Sequence, residues 1–337
     1  MSTGQTRVAV LGCGSWGTAL ALQLCRRGHK VRLWGNTPNE IVALTRDREN
    51  KLYLPGFPLP EGIEPVVDLD DALKDSDDIL LVVPSHAFAE LVRRIAPRLG
   101  SQTGVAWATK GLDPGSDRLL HEVAREALGA RELAVISGPS FAKEVAAGLP
   151  TAVAVASPSK CFAERIAALL HGDGFRVYTN EDIIGVEVGG AAKNVLAIAT
   201  GIADGLGFGA NTRAAIITRG LTELIRFGTA LGGRRDTFMG LAGLGDLVLT
   251  CTDDQSRNRR MGLALARGLD VEQAKQEIGQ EVEGVITART VWMIAQRLGL
   301  AMPITEQVFG VLYKGVTPSE ATAALLERTS KPEIDDI

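Results

Sequence analysis

The stretch 186–205, VEVGGAAKNVLAIATGIADG, sets one ammonium group, Lys193, in the middle of a helix-forming run of small and apolar residues. Positions three, four and seven away share its helical face. They are Gly189, Gly190, Leu196, Ala197 and Thr200, all small except Leu196. So little bulk around a lysine leaves space for another helix or for a ligand. A second lysine, Lys110 in WATKGL, directly follows a β-type run and precedes a glycine. From a strand tip it can meet an anionic or carbonyl oxygen, and it reads equally well as a solvated loop lysine. Asp246 follows the glycine-rich GLAGLG, and Ser256, Arg257, Asn258, Arg259 and Arg260 open a helix. An arginine beside an asparagine suits bidentate recognition of a phosphate. Taken alone, an arginine cluster is a solvated face or a set of salt bridges.

The N-terminal stretch VAVLGCGSWGTALALQL places Gly12, Gly14 and Gly17 in G-x-G-x-x-G spacing, between an apolar strand and an apolar helix. In that setting the first glycine allows a tight turn, the second lets backbone approach a pyrophosphate, and the third permits close helix–strand packing. The helix N-terminus then faces the anion. A site selective for NAD ends its second strand with Asp or Glu, which bonds the adenosine ribose. KVRLWGNTPNE offers Gly35 and Asn36 there instead, and Glu40 falls further along, in the next helix. NAD and NADP both stay open on this reading, with a lean towards NADP being accepted. Gly138, Pro139 and Ser140 in ISGPSFAKE open another helix and present free backbone N–H groups. Pro84 and Ser85 in VVPSHAF occupy a further strand end, and the four histidines are scattered.

The elements that must position these groups divide the chain in two. Before about residue 182, apolar β-type runs (RVAVLG, KVRLWG, DILLVV, GVAWAT, ELAVIS, TAVAVA, FRVYT) alternate with helical patterns. Such strands predict a mostly parallel, doubly wound α/β sheet covered on both faces. Beyond it the pattern is helical throughout, with glycines closing most helices. The expected organisation is a Rossmann-like dinucleotide-binding domain over 1–185, an all-α substrate and catalytic domain over 186–330, and a frayed polar tail at 331–337. With 36 Lys+Arg against 40 Asp+Glu and a net charge of −4, there is no broad basic surface for nucleic acid or anionic membrane. Four widely spaced cysteines without a CxxC or Cys/His pattern predict free thiols, no disulfide framework and no metal. Lys193, Asn194 and Asp204 interrupt the one long apolar helix, which argues against a membrane span. A soluble cytoplasmic protein is expected.

Taken in order, GCGSWGTALA, SGPSFAKEV, AAKNVLAIATGIADGLGFGANTRAA, GLAGLGDL, SRNR and EVEGVITA resemble the bacterial NAD(P)-dependent glycerol-3-phosphate dehydrogenases over nearly the whole chain. The resemblance implies interconversion of sn-glycerol 3-phosphate and dihydroxyacetone phosphate, with NADP or NAD as cofactor and no metal, supplying glycerol phosphate for phospholipid synthesis. It implies Lys193 as the general acid/base. Lys110, Gly138, Ser140, Lys193, Asn194, Asp246, Ser256, Arg257 and Asn258 would line the substrate site. Cofactor contacts would come from Ser15, Trp16, Asn36, Lys110, Ala142, Arg257, Glu281 and Glu283, besides Gly12, Gly14 and Gly17. In this account the Gly and Ala residues around Lys193 make room for substrate, and Arg259 and Arg260 are ordinary surface arginines. Two positions depart from the family pattern: Asn36 stands where a basic residue is common, and Glu281 where an apolar one is. The alternatives are a β-hydroxyacid dehydrogenase of the same two-domain plan, recognised by turnover of a carboxylate substrate, and a non-catalytic dinucleotide-sensing regulator. Oligomeric state is open, a homodimer included.

Overall fold

A computed structural model describes residues 6–172 and 174–328 of the chain. The tail expected at 331–337 lies outside the described residues. Among the described residues the chain forms two compact units, one from residues 6–109, 120–172 and 174–183, the other from residues 110–119 and 184–328. Residues 110–119 group with the helices because Leu112 and Leu119 are buried in the hydrophobic core of that unit.

The first unit holds an eight-stranded sheet built from β1 (Arg7–Leu11), β2 (Lys30–Trp34), β3 (Ile63–Val66), β4 (Asp78–Leu81), β5 (Gly104–Trp107), β6 (Leu133–Ser137), β7 (Thr151–Ala156) and β8 (Phe175–Asn180). The order is β3-β2-β1-β4-β5-β6-β7-β8. Pairings are parallel except β6 with β7, which gives the mostly parallel doubly wound plan expected from the strand pattern. β4 and β5 are buried at every position, as central strands covered on both faces must be. β3, IEPV, has no counterpart in the sequence reading. Its run is short and carries Pro65, which lacks a ladder donor and is tolerated because β3 is an edge strand. The helices of this unit are α1 (Ser15–Arg26), α2 (Pro38–Asp47), α3 (Leu69–Leu73), α4 (Ser85–Ile95), α5 (Leu120–Leu128), α6 (Ala142–Ala147) and α7 (Lys160–Leu170).

The second unit is helical: α8 (Ile183–Gly205), α9 (Ala210–Ala230), α10 (Arg235–Phe238), a π-helical turn (Leu241–Gly245), α11 (Asp246–Thr252), α12 (Arg257–Ala266), α13 (Val271–Ile278), α14 (Glu283–Arg297), α15 (Pro303–Tyr313) and α16 (Pro318–Leu326). By length and mean hydropathy (1.4) α8 could cross a membrane, which the sequence reading denied it, yet 94% of that window is buried in the fold. The apolar run is that of a core helix. Its residues Val188, Val195, Leu196, Ala197 and Ile198 pack with Leu224, Phe227, Leu247, Met261 and Val285 from the helices around it.

Two of the glycines of α8 are explained by packing. A Cβ on Gly189 would lie 2.5 Å from the carbonyl oxygen of Ala242 in the π-turn, and one on Gly201 would lie 2.1 Å from that of Arg259 in α12. Backbone of neighbouring helical segments therefore fills the space beside these two glycines. The expectation that they clear room for substrate is corrected: they admit the turn that leads into Asp246 and the helix that carries Arg259.

Replacing Gly189 by Ala therefore forces α8 and the π-turn apart. Overpacking of this kind costs about 1–3 kcal/mol, so Gly189→Ala is expected to lower the thermal unfolding midpoint by several degrees, measured by circular dichroism. An unchanged midpoint would show that the turn yields freely.

Candidate active site

The helical unit brings Lys110, Lys193 and Asp246 into one ion cluster. The π-turn joins directly onto α11 and presents Asp246 at its first position. The Asp246 carboxylate, 1% exposed, accepts from Lys193 Nζ through Oδ1 at 2.7 Å and from Lys110 Nζ through Oδ2 at 2.8 Å. Lys193 Nζ also donates to Thr250 Oγ1 at 2.6 Å. Thr250 was not singled out in the sequence, although it stands one helical turn after Asp246 and so shares its face.

Two ammonium groups and one carboxylate share this space. Burial pulls the Lys193 amine down from its usual range to about 8; Asp246 opposes that pull and the Lys110 charge adds to it. Burial alone would push the Asp246 carboxyl up, but the two lysines outweigh it and hold it below the ordinary carboxylate range. An amine poised near neutrality beside a fixed second cation is an arrangement suited to moving a proton to or from an oxygen.

Two asparagines brace the cluster. Asn194, next to Lys193, donates to the Lys110 carbonyl (3.3 Å) and the Gly190 carbonyl (3.4 Å). Its own Oδ1 accepts from Asn258 Nδ2 at 2.8 Å, and Asn258 Oδ1 accepts from the Gly284 N–H at 2.9 Å. The side chain of Asn258 is thereby committed to protein groups. Ser256 caps α12 by accepting from the Arg259 N–H.

The arginines of α12 differ from one another. Arg259 is buried and ion-paired with Asp204 and Asp254, so it is a structural core residue, which corrects its reading as a surface arginine. Arg260 is half-buried, and its Nε has no partner among the described residues. The Arg257 side chain makes no hydrogen bond or ion pair among the described residues. Burial lowers its basicity, with Glu283, Arg260 and Glu281 as the charges that act on it. Of those two carboxylates, Glu281 is exposed and Glu283 opens α14.

In the sheet unit the glycine loop follows β1. Gly12 takes φ +125°, and a Cβ there would lie 2.2 Å from the Val82 carbonyl oxygen; one on Gly17 would lie 1.8 Å from that of Gly12. Gly14 faces open space. It precedes α1 with no side-chain cap and no acidic residue in the first turn, leaving the N–H groups of Ser15 and Trp16 to an outside acceptor. Trp16 Nε1 is buried without a partner among the described residues. This combination fits a dinucleotide pyrophosphate. Asn50, missed in the sequence, holds the loop by donating to the Cys13 carbonyl and Thr18 Oγ1, both at 2.8 Å. Asn36 is exposed just beyond β2 and accepts from Thr37 Oγ1. Gly138 follows β6, Ser140 Oγ donates to its carbonyl at 2.9 Å, and Ala142 opens α6. His29 and His171 each accept a backbone N–H through Nδ1.

A cavity of about 470 Å³ lies elsewhere in the helical unit, lined by Ala199, Ile202, Glu223, Arg226, Ile304 and Leu325 among others. None of the candidate site residues lines it. Its Glu223 carboxylate is taken up by the start of α15, accepting from the N–H groups of Ile304 and Thr305.

Comparison with known proteins shows the family. Residues 7–163 match the family described as the NAD-dependent glycerol-3-phosphate dehydrogenase N-terminus, and residues 182–323 match the C-terminus of the same family. A glycerol-3-phosphate dehydrogenase [NAD(P)+] of Thioalkalivibrio sulfidiphilus is 57% identical over 98% of this chain and 99% of its own length. One from Aeromonas hydrophila is 56% identical over 98% and 99%. The crystal structure of glycerol-3-phosphate dehydrogenase from Coxiella burnetii superposes with a TM-score of 0.94 at 52% identity, covering 96% of this chain and 99% of that one. A D-mandelate dehydrogenase with NADH, 12% identical with a TM-score of 0.62, shares the fold alone. The chain belongs to the NAD(P)-dependent glycerol-3-phosphate dehydrogenase family.

Proposed function

We propose that the chain interconverts sn-glycerol 3-phosphate and dihydroxyacetone phosphate with NAD(P)(H), the sheet unit binding the dinucleotide and the helical unit acting on the substrate. The observation that carries this reading is the buried Lys193–Asp246–Lys110 cluster in a chain of this family. Reduction of the ketone leaves negative charge on its oxygen. Lys193, as the ammonium, donates the proton that quenches it, and as the free amine takes that proton back in the oxidative direction. Lys110, on the other oxygen of Asp246, supports the developing oxyanion by charge. Asp246 holds both ammonium groups in place, and Thr250 fixes the Lys193 nitrogen. Arg257 takes the phosphate, a role supported by the absence of a side-chain hydrogen bond or ion pair on it among the described residues, its nearby carboxylates Glu283 and Glu281 acting only through charge, and by the fork geometry of guanidinium.

Ser256 and Asn258 shape this phosphate end through the α12 cap and the bond to Asn194; roles for Gly138 and Ser140 rest on family likeness alone. Gly12, Gly14, Ser15, Trp16 and Gly17 hold the pyrophosphate; Asn36, Lys110, Ala142, Arg257, Glu281 and Glu283 complete the cofactor contacts. When bound, the reduced nicotinamide supplies the hydride. Supply of glycerol phosphate for phospholipids, a cytoplasmic location and assembly as a homodimer complete the proposal and rest on family likeness.

The assignment of Lys193 is tested by substitution and by pH. Lys193→Ala is expected to lose about 10²–10⁴ in kcat for dihydroxyacetone phosphate reduction while still binding dinucleotide; near-wild-type turnover would remove Lys193 from its role. Because the acid form of Lys193 is needed for reduction, kcat/KM for reduction is expected to fall as pH rises through about 8. For glycerol 3-phosphate oxidation, which needs the free amine, it should rise over the same interval. Profiles flat from pH 6 to 10 in both directions would contradict the proton relay.

For the phosphate, Arg257→Ala is expected to raise KM for dihydroxyacetone phosphate about 10–100-fold, the loss of a charge-assisted contact of ~1.5–3 kcal/mol, with some fall in kcat. Arg257→Lys should restore it only partly, since one ammonium lacks the planar fork. Arg260→Ala should leave KM within a few-fold of wild type. Arg259→Ala should instead lower thermal stability, because it removes one of the two guanidinium partners of the Asp204 carboxylate and leaves only Arg213 to pair with it. An Arg257 variant no worse than Arg260→Ala in kcat/KM would return the cluster to a structural role.

A further inference from the structure

A carboxylate that the sequence reading set aside stands beside the glycine loop. Glu40 lies in the first turn of α2, one turn beyond the position where a dinucleotide fold that prefers NAD carries its acidic residue. Its side chain is directed back to the loop. Cys13 Sγ, between Gly12 and Gly14, donates to Oε2 at 3.9 Å, and Tyr53 OH donates to Oε1 at 3.1 Å. The tip of β2 belongs to the same cluster: a Cβ on Gly35 would meet Cys13 Sγ at 2.4 Å and Ile41 Cδ1 at 3.0 Å. Loop, strand tip and carboxylate are thus separated by little more than one sulfur atom.

The carboxylate is also fixed and lacks a counter-ion. Asn50 grips the loop and accepts the Tyr53 N–H at 3.1 Å, so the clamp on Glu40 rests on the same buried amide that shapes the pyrophosphate turn. Among the described residues no cation pairs with Glu40; its side-chain partners are a thiol and a phenol. Burial, with Glu40 beside them, pushes the Cys13 thiol up to about 11 and raises the Tyr53 phenol. In a parallel-sheet dinucleotide site the adenosine ribose lies at the tip of the second strand, where its 2′ substituent meets whatever charge is present. Asn36 brings none. We propose that Glu40, held by Tyr53, is the residue that sets cofactor preference: it disfavours a 2′-phosphate and moves the balance from NADPH towards NADH. This reverses the lean towards NADP drawn from the β2 tip alone.

The inference rests on the dinucleotide reading of the sheet unit, so the test measures binding without turnover. Dissociation constants for NADPH and NADH are titrated calorimetrically with the full-length wild-type protein, Glu40→Gln and Tyr53→Phe, at low and at high salt. Removing one carboxylate from the neighbourhood of a phosphate dianion in a partly screened site is expected to shift the NADPH:NADH affinity ratio about 5–20-fold towards NADPH. Tyr53→Phe, which frees the carboxylate without removing it, should shift the ratio the same way by less. High salt should narrow the wild-type discrimination and leave the Glu40→Gln ratio less affected. A ratio in Glu40→Gln within twofold of wild type, with both nucleotides bound, would overturn the role of Glu40 and keep the dinucleotide site. Failure of wild type to bind either nucleotide would overturn both.

Discussion

The helical unit is organised around one carboxylate that two lysines share. Asp246 is buried, and an unpaired charge there would be strongly destabilising; Lys193 and Lys110 each take one of its oxygens. The cluster carries one more positive than negative charge when both amines are protonated. Burial pulls the Lys193 amine down to about 8, against the opposing pull of Asp246 and with help from the Lys110 charge. The surplus positive charge favours an oxygen that gains negative charge beside it. A structural need, compensating a buried carboxylate, is met by these three side chains, and on the proposed reading the same three also place a proton donor next to a cation.

Much of the rest of the unit serves to bring those three together. Asp246 reaches Lys193 because the π-turn lies directly on Gly189, and π-turns inserted among α-helices are often found at functional sites. Segment 110–119 leaves the sheet after β5 and joins the helices through Leu112 and Leu119, which delivers Lys110 to the cluster. The Asn194–Asn258–Gly284 bonds then tie α8, α12 and α14 into one register, each through a residue adjacent to a candidate site group. In the sheet unit Asn50 is the side chain that holds the glycine turn ahead of α1.

How far this was legible in the sequence depended on range. The glycine loop could be read because strand, turn and helix are consecutive, and the parallel sheet because its strands are apolar on both faces. Lys193 stood out as a cation among small residues, but its partner lies 53 residues away, and no local pattern pairs them. The same distance problem hid Arg259, whose ion pair with Asp204 spans 55 positions and makes a core residue look like part of a basic surface cluster. β3 escaped because an edge strand can afford Pro65 and polar residues that blur its pattern. Glu40 was discounted by its place along the chain, whereas what matters is that the first turn of α2 folds it back on Cys13. Thr250 alone was within reach of simple helical spacing. Family likeness supplied roles for Lys193 and Arg257 that spacing alone left open.

The central claim is that Lys193 titrates near neutrality because it is buried in a cluster with Asp246 and Lys110. The most direct measurement is an NMR titration of the lysine side chains in the free protein, with the Lys193 resonance assigned by its loss in Lys193→Ala. The account predicts a midpoint near 8 for Lys193, moving lower in Asp246→Asn, where the opposing carboxylate is gone and the Lys110 charge remains. A Lys193 midpoint near the ordinary lysine value of about 10.4 in the wild-type protein would contradict it.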